Sequence, residues 1–269
     1  MKALVDSHCH LFFNFFTDDL DDVLSRAWEN GVTHILIPGI DLETSQQAVA
    51  LSEKHPNLFA AVGVHPNDAL GWQTDSLDRL KRLAEHPKVM AIGEIGLDYY
   101  RDTTPPELQR KVLEAQLELA ADLKKPVVIH NRQAFTDIWS LLKKWQADLA
   151  WVGNPLSQAP GILHSFEGDL VQALQAIEQH FFIGIGGPVT FRNAAMSQEV
   201  AKCIPLDHLL LETDAPFLTP HPHRGHRNEP SYVIFIAEKI AELRAQSLPV
   251  VAEATTQNAN RLFAWGVAA

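Results

Sequence analysis

The feature that most limits how this chain can fold is a series of eight short, mostly apolar runs spread along its length. They cover residues 3–5, 33–38, 58–64, 89–94, 126–130, 161–164, 181–184 and 208–214. Several are bounded by Gly or Pro, and they are continuously apolar rather than alternating, the pattern of parallel strands covered on both faces. Helical sequence lies between them. One stretch spans about residues 20–28. The clearest opens after Pro105-Pro106 and carries Leu108, Val112, Ala115, Leu119 and Leu123 on one stripe. Eight buried strands separated by helices predict an α/β fold of the closed (β/α)8 TIM-barrel kind rather than an open doubly wound sheet. No GxGxxG follows the first strand, which removes the usual sign of a dinucleotide fold. A barrel of this kind routinely fills a chain of 269 residues as one domain, so a single domain over 1–269 is expected. The stretch 145–160, with Gly153, Asn154, Pro155 and Pro160, reads as a long helix-to-strand loop or insertion.

Composition narrows the function classes. With 46% hydrophobic and 20% charged residues, the chain has the means to bury a large core and lacks the signature of disorder. The opening MKALVDSH has no apolar region of signal-peptide length, and no apolar stretch is long enough to cross a bilayer. The two cysteines, Cys9 and Cys203, form neither a framework nor a CxxC pair. A cytoplasmic protein without membrane association is expected, and no obligate protein partner is evident. The net charge of −11 argues against coating duplex nucleic acid through a basic surface. It leaves room for an enzyme that grips a few phosphates with metal ions.

The chemistry lies where the strands end. Asp6, His8 and His10 follow the first run, Glu94 the fourth, His130 the fifth, His164 the sixth and Asp214 the eighth. In a barrel these exits converge although the residues are far apart in sequence. His8 and His10, two apart on an extended chain, face the same way and can reach one ion. A lone HxH is weak evidence, and His130 or His164 alone could be a strand-end histidine. The combination with Glu94 and Asp214 points to a divalent-metal-dependent hydrolase. That many N/O ligands exceed the need of one tetrahedral ion and suit two ions sharing a carboxylate. Glu94 is the expected bridge: His8, His10 and Asp214 would share one ion with it, and His130 and His164 would complete the other. Mixed imidazole and carboxylate ligation without thiolate suits Zn²⁺ or Mn²⁺, with Mg²⁺ as a further candidate. Cys9 is expected to face away from the pair and pack.

Seven segments occur in order: D-S-H-C-H-L (6–11), G-V-H-P (63–66), G-E-I-G-L-D-Y-Y (93–100), P-V-V-I-H-N-R (126–132), L-H-S-F-E-G (163–168), L-L-L-E-T-D-A-P-F-L-T-P (209–220) and R-G-H-R-N-E-P (224–230). Together they closely resemble the TatD-like metal-dependent hydrolases of the amidohydrolase superfamily, almost from end to end. The resemblance implies a TIM barrel holding up to two divalent ions and hydrolysing phosphodiesters, often as a deoxyribonuclease. The family's metal residues correspond to His8, His10, Glu94, His130, His164 and Asp214, all present. Many superfamily relatives with other substrates resemble one another in bridging their metals with a modified lysine at the fourth strand; here Glu94 stands there, and Lys88 precedes the strand.

The expected reaction is attack of a metal-activated water on phosphorus, with Asp214 as both ligand and proton acceptor. His65, Arg132, Arg224 and Arg227 are candidates for contact with a nucleic-acid or other phosphodiester substrate. For His65 the competing reading is a bond to a nearby backbone group, and for the two later arginines a solvated loop. Phe12, Phe13, Phe15 and Phe16 could stack on bases, although packing under the first helix is the expected role. Two alternatives use the same sequence features. One is hydrolysis of another ester or amide on this barrel, such as a nucleic-acid-linked ester. The other is a non-catalytic metal-binding protein, which loss of a ligand would betray; none is lost.

Overall fold

A computed structural model describes residues 3–265. The strands are β1 (Leu4–Asp6), β2 (Val32–Pro38), β3 (Leu58–Val62), β4 (Val89–Asp98), β5 (Val127–Arg132), β6 (Gly161–Leu163), β7 (Phe182–Ile185) and β8 (Leu209–Leu211). The helices that alternate with them are α1 (Leu20–Glu29), α2 (Leu42–Lys54), α3 (Ser76–Ala84), α4 (Pro106–Leu123), α5 (Phe135–Trp151), α6 (Leu170–Glu178) and α7 (Ala195–Cys203), followed by α8 (Val233–Arg244) and α9 (Leu248–Phe263). The sheet order is β1 through β8 in sequence. Beyond β8 the chain meets the end of β1: Ser7 N–H donates to Leu211 O and Asp214 N–H to His8 O. This is the strand order of the (β/α)8 TIM barrel expected from the eight apolar runs. Among the described residues no helix is long and apolar enough to cross a membrane.

The described chain packs as two compact units. The first comprises residues 3–37, 165–178 and 182–261. In it β1 pairs in parallel with β2 (Leu4 with Val32, Asp6 with Ile35) and β7 with β8 (Ile183 with Leu209, Ile185 with Leu211). The second comprises residues 38–164, 179–181 and 262–265. There β3, β4, β5 and β6 pair in parallel in succession. Helix α4 shows why these segments fold as they do. Pro106 sets the first turn, Val112, Leu113, Leu117 and Ala120 form the buried face, and Lys124 stops the helix in the left-handed region at φ 54°. Asp41 caps α2 by accepting from Thr44 N–H at 2.7 Å, while the Thr44 hydroxyl accepts from Asp41 N–H.

Three boundaries differ from the sequence expectation. The fourth strand does not end at Glu94 but runs on to Asp98. Its register slips between Ile92, opposite Val127, and Ile95, opposite Ile129, so three steps on β4 match two on β5. That bulge re-aims the strand at Glu94. The two flanking glycines allow the close approach: a Cβ on Gly93 would sit 2.6 Å from Val128 Cβ, and one on Gly96 would collide with the His130 carbonyl. The eighth strand stops at Leu211, three residues before Asp214. Finally, segment 145–160 is not an inserted loop. Its first seven residues complete α5, and a short 3-10 helix, Pro155–Gln158, occupies the remainder.

Two candidate metal-binding constellations

In the first unit the backbone after β1 stays extended, with Cys9 bridging to Ala215, so His8 and His10 project to the same side, as their spacing requires. Their Nε2 atoms lie 3.1 Å apart. Asp214 Oδ1 lies 3.8 Å from His8 Nε2 and 3.5 Å from His10 Nε2. Ligands held roughly 2.1 Å from a tetrahedral ion would stand about 3.4 Å from one another. These three atoms therefore fit one divalent ion in both donor type and spacing. His8 is fully buried, His10 nearly so. Cys9 between them is buried in the opposite direction, and burial pushes its thiol up.

Backbone contacts hold this set in place. Asp214 adopts a left-handed φ of 56°. Its N–H donates to His8 O at 2.9 Å, and its own carbonyl accepts from Phe217 N–H at 2.9 Å. Behind them Asp6 accepts from Thr213 N–H (2.9 Å), the Thr213 hydroxyl (2.6 Å) and His8 N–H (3.3 Å). Complete burial nevertheless outweighs those bonds and pushes its carboxyl up to about 7. Asn228 closes the turn by donating to Thr213 O (2.8 Å) and Phe217 O (2.6 Å).

The second unit carries a different set, centred on the buried carboxylate of Glu94. His130 Nδ1 lies 3.0 Å from Glu94 Oε1, and His65 Nε2 and His164 Nε2 each lie 3.7 Å from it. His65, Glu94 and His130 form a compact donor group able to hold an ion. His65 Nδ1 accepts from Asn67 N–H at 3.1 Å, which leaves the ring proton on Nε2 when the ring is neutral. In that tautomer Nε2 is a donor and can serve an anionic oxygen. The structure thus gives His65 a backbone bond at one nitrogen and sets the other beside Glu94.

Sequence reasoning missed Asp98. Its Oδ2 lies 3.2 Å from His130 Nε2, so both nitrogens of that ring face carboxylates. Asp98 also accepts from Tyr100 N–H, Arg101 N–H and Asn67 Nδ2, at 2.9–3.1 Å. Burial opposes its ionisation, yet these bonds and the His130 contact hold it well below the usual carboxylate range. Burial also works against protonated His130, but the two carboxylates raise it. Asp98 is four residues beyond Glu94 on an extended strand, hence on the same face, a signal that needs β4 to run past Glu94. Nearby Asp68 is pushed up to about 6 by burial.

The arginine candidates separate. Arg132, at the end of β5, lies over the Tyr100 ring at 4.3 Å, and Tyr100 is 58% exposed. Arg224 is exposed, lies 4.0 Å over Phe191 and donates weakly to Thr219 O. Arg227 does not present a free guanidinium. Both of its terminal nitrogens bond Asp19, at 2.8 and 2.7 Å, and one also donates to the Phe15 carbonyl. That double engagement favours a structural role for Arg227. The phenylalanines also depart from expectation. Only Phe16 is buried, whereas the rings of Phe12 and Phe13 lie 5.6 and 5.3 Å from that of His10.

Comparison with known proteins finds relatives over nearly the whole chain. Residues 5–264 fit the model of a family described as TatD related DNase. The chain is 44% identical to the uncharacterized metal-dependent hydrolase YabD of Bacillus subtilis, covering 97% of this chain and 98% of that protein. It is 36% identical to the 3'-5' ssDNA/RNA exonuclease TatD of Citrobacter rodentium, covering 97% of each. Its fold superposes on the crystal structure of YJJV, a TatD homolog from Escherichia coli, with a TM-score of 0.89 at 33% identity, covering 97% of this chain and 98% of that one. The chain belongs to the TatD-related DNase family of metal-dependent hydrolases.

Proposed function

We propose that the protein is a divalent-metal-dependent phosphodiesterase acting on nucleic acid, a deoxyribonuclease in the first instance, that binds two ions per chain. The observation that carries this reading is the presence of an imidazole and carboxylate constellation in each unit, His8/His10/Asp214 in the first and Glu94/His130/His164 in the second. Each has N/O donors spaced for a hard or borderline divalent cation and neither has a thiolate. The naming of several relatives as 3'-5' ssDNA/RNA exonucleases supports the choice of bond. The ions, Zn²⁺, Mn²⁺ or Mg²⁺, supply Lewis acidity: they lower the pKa of a bound water and neutralise charge on the phosphoryl oxygens.

The chain's own residues do the rest. Asp214, rigid in its left-handed turn, accepts the proton of the attacking water through the carboxylate oxygen that also faces His8 and His10. His65 donates from Nε2 to a phosphoryl oxygen, its other nitrogen being fixed by Asn67. Arg132, braced against Tyr100, offers a planar fork to a phosphate. Arg224, exposed on the loop after β8, is a secondary phosphate contact.

The test uses purified protein stripped of metal and reloaded with Mn²⁺ or Mg²⁺, then incubated with end-labelled single-stranded DNA. Metal-dependent shortening of the strand is expected, abolished in Asp214→Asn. Intact DNA, alongside cleavage of a nucleic-acid-linked carboxylic ester, would replace this reading with the ester hydrolase alternative.

A further inference from the structure

Beside the His8/His10/Asp214 set the first unit presents a wall of phenylalanine. Phe217 is 45% exposed and Phe15 60% exposed. The Phe217 ring meets those of His10, Phe13 and Phe15 at 6.5, 5.8 and 6.4 Å, each time edge-on, with interplanar angles of 63°, 69° and 76°. An ordinary surface phenylalanine lies on a loosely held loop and folds its ring onto apolar neighbours. These two are different, because their backbones are pinned while their rings stay out. Phe217 N–H donates to Asp214 O, and its carbonyl accepts from Asn228 Nδ2. The next residue packs so closely on Gly187 that any Cβ there would collide with the Leu218 carbonyl. The Phe15 carbonyl accepts from Arg227, itself clamped by Asp19. The arginine expected to touch phosphate is thus a strut for an exposed ring. Fixed, exposed apolar rings are the usual mark of a ligand surface.

The overall charge narrows the ligand. At −11 the chain has little of the counterion-release affinity on which most nucleic-acid binders rely. Stacking on aromatic rings is the other sequence-tolerant source of affinity for an unpaired strand.

We infer that Phe217, backed by Phe15, is a stacking platform for an unpaired nucleobase of the nucleotide whose phosphate lies at His10 and Asp214. The inference rests on the phosphodiesterase reading and adds to it a residue-level source of preference for nucleotide over other phosphate esters, and for unstacked ends over duplex.

Calorimetry on metal-loaded protein measures the Kd for thymidine 5′-monophosphate and for inorganic phosphate. In Phe217→Ala the ratio of the two, nucleotide over phosphate, is expected to rise about tenfold, with a smaller rise in Phe15→Ala and a ratio near wild type in Phe217→Tyr. Phe217→Leu keeps bulk but loses the π-face; it is expected to follow the alanine variant, and it carries the test if that variant fails to fold. A ratio within twofold of wild type in Phe217→Leu and Phe15→Ala overturns the platform, as does an equal weakening of both ligands, which would mark a merely structural role. Hydrolysis of bis-p-nitrophenyl phosphate by the same wild-type sample reports separately on the phosphodiesterase reading. If none occurs that reading falls, while the Kd ratio still decides the platform.

Discussion

His8, His10 and Asp214 in one unit, and Glu94, His130 and His164 in the other, offer a metal the same kinds of donor atom but are held by different means. The first set is fixed through the main chain. Asp214 N–H donates to His8 O, and Asp6 gathers Thr213 and His8 from behind. The second set is fixed through side chains: Asp98 holds the far nitrogen of His130, and Asn67 holds both Asp98 and the His65 ring. A histidine oriented by a carboxylate is tuned as well as positioned, because the carboxylate raises its basicity. The second set should therefore respond more strongly to distant polar substitutions, and the first to changes in backbone support.

The largest effect should come from Asp214→Asn. The amide keeps the shape but weakens the ligand and removes the proton acceptor, and kcat on a phosphodiester should fall about a thousandfold. Circular dichroism should be unaltered; a near-wild-type rate would strip Asp214 of its role. Next is Asp98→Asn, which should weaken metal retention at the His130 set by about 10–100-fold. A chelator-competition titration would then resolve one weakened ion and one unaffected. If both ions, or neither, change affinity, the two sets are not independently supported.

Thr213→Val probes the other side of the comparison. It removes the hydroxyl that donates to Asp6 at 2.6 Å and accepts from Ala215 N–H at 3.2 Å. A loss of about 1–3 kcal/mol in denaturant stability is expected; a neutral result would mean that Asp6 does not brace the His8 strand.

The mildest prediction concerns the supports around the phenylalanine wall. Glu229 accepts bidentate bonds from Arg26 at 2.7–3.2 Å. Burial works against the ionised carboxylate, but Arg26 and Ser231 win and hold it below its ordinary 4.5. A lowered carboxylate stabilises the fold above its unfolded pKa, and that stability is lost as pH falls through the folded value. Glu229→Gln should cost about 1 kcal/mol near neutrality, because Arg26 is partly solvated. The gap should close in acid well below 4.5. A gap independent of pH would show that the pair acts by packing.

Much of this was legible in the chain because strands buried on both faces leave uninterrupted apolar runs, and β2, β3, β5 and β7 fall within two residues of theirs. The extension of β4 was hidden because Gly96 and Asp98 do not look like strand interior, while the bulge that explains them is a matter of pairing with β5. The helical part of 145–160 was obscured by the Gly, Asn and Pro that end it. In the candidate site, residue types and strand ends identified the donors that the structure brings together within each unit. Asp98 escaped because no strand was expected beyond Glu94. The engagement of Arg227 and the exposure of the phenylalanines escaped for one shared reason. Whether a guanidinium is free, or a ring exposed, depends on partners such as Asp19 that lie about two hundred residues away in sequence.

The central claim is that each constellation holds its own catalytic ion. Elemental analysis of reloaded, desalted protein tests it most directly, on wild type, His10→Ala and His130→Ala. Two ions per chain in wild type and one in each variant are predicted, with phosphodiester hydrolysis lost in both. Less than one ion in wild type, or unaltered metal content in His130→Ala, would contradict the account.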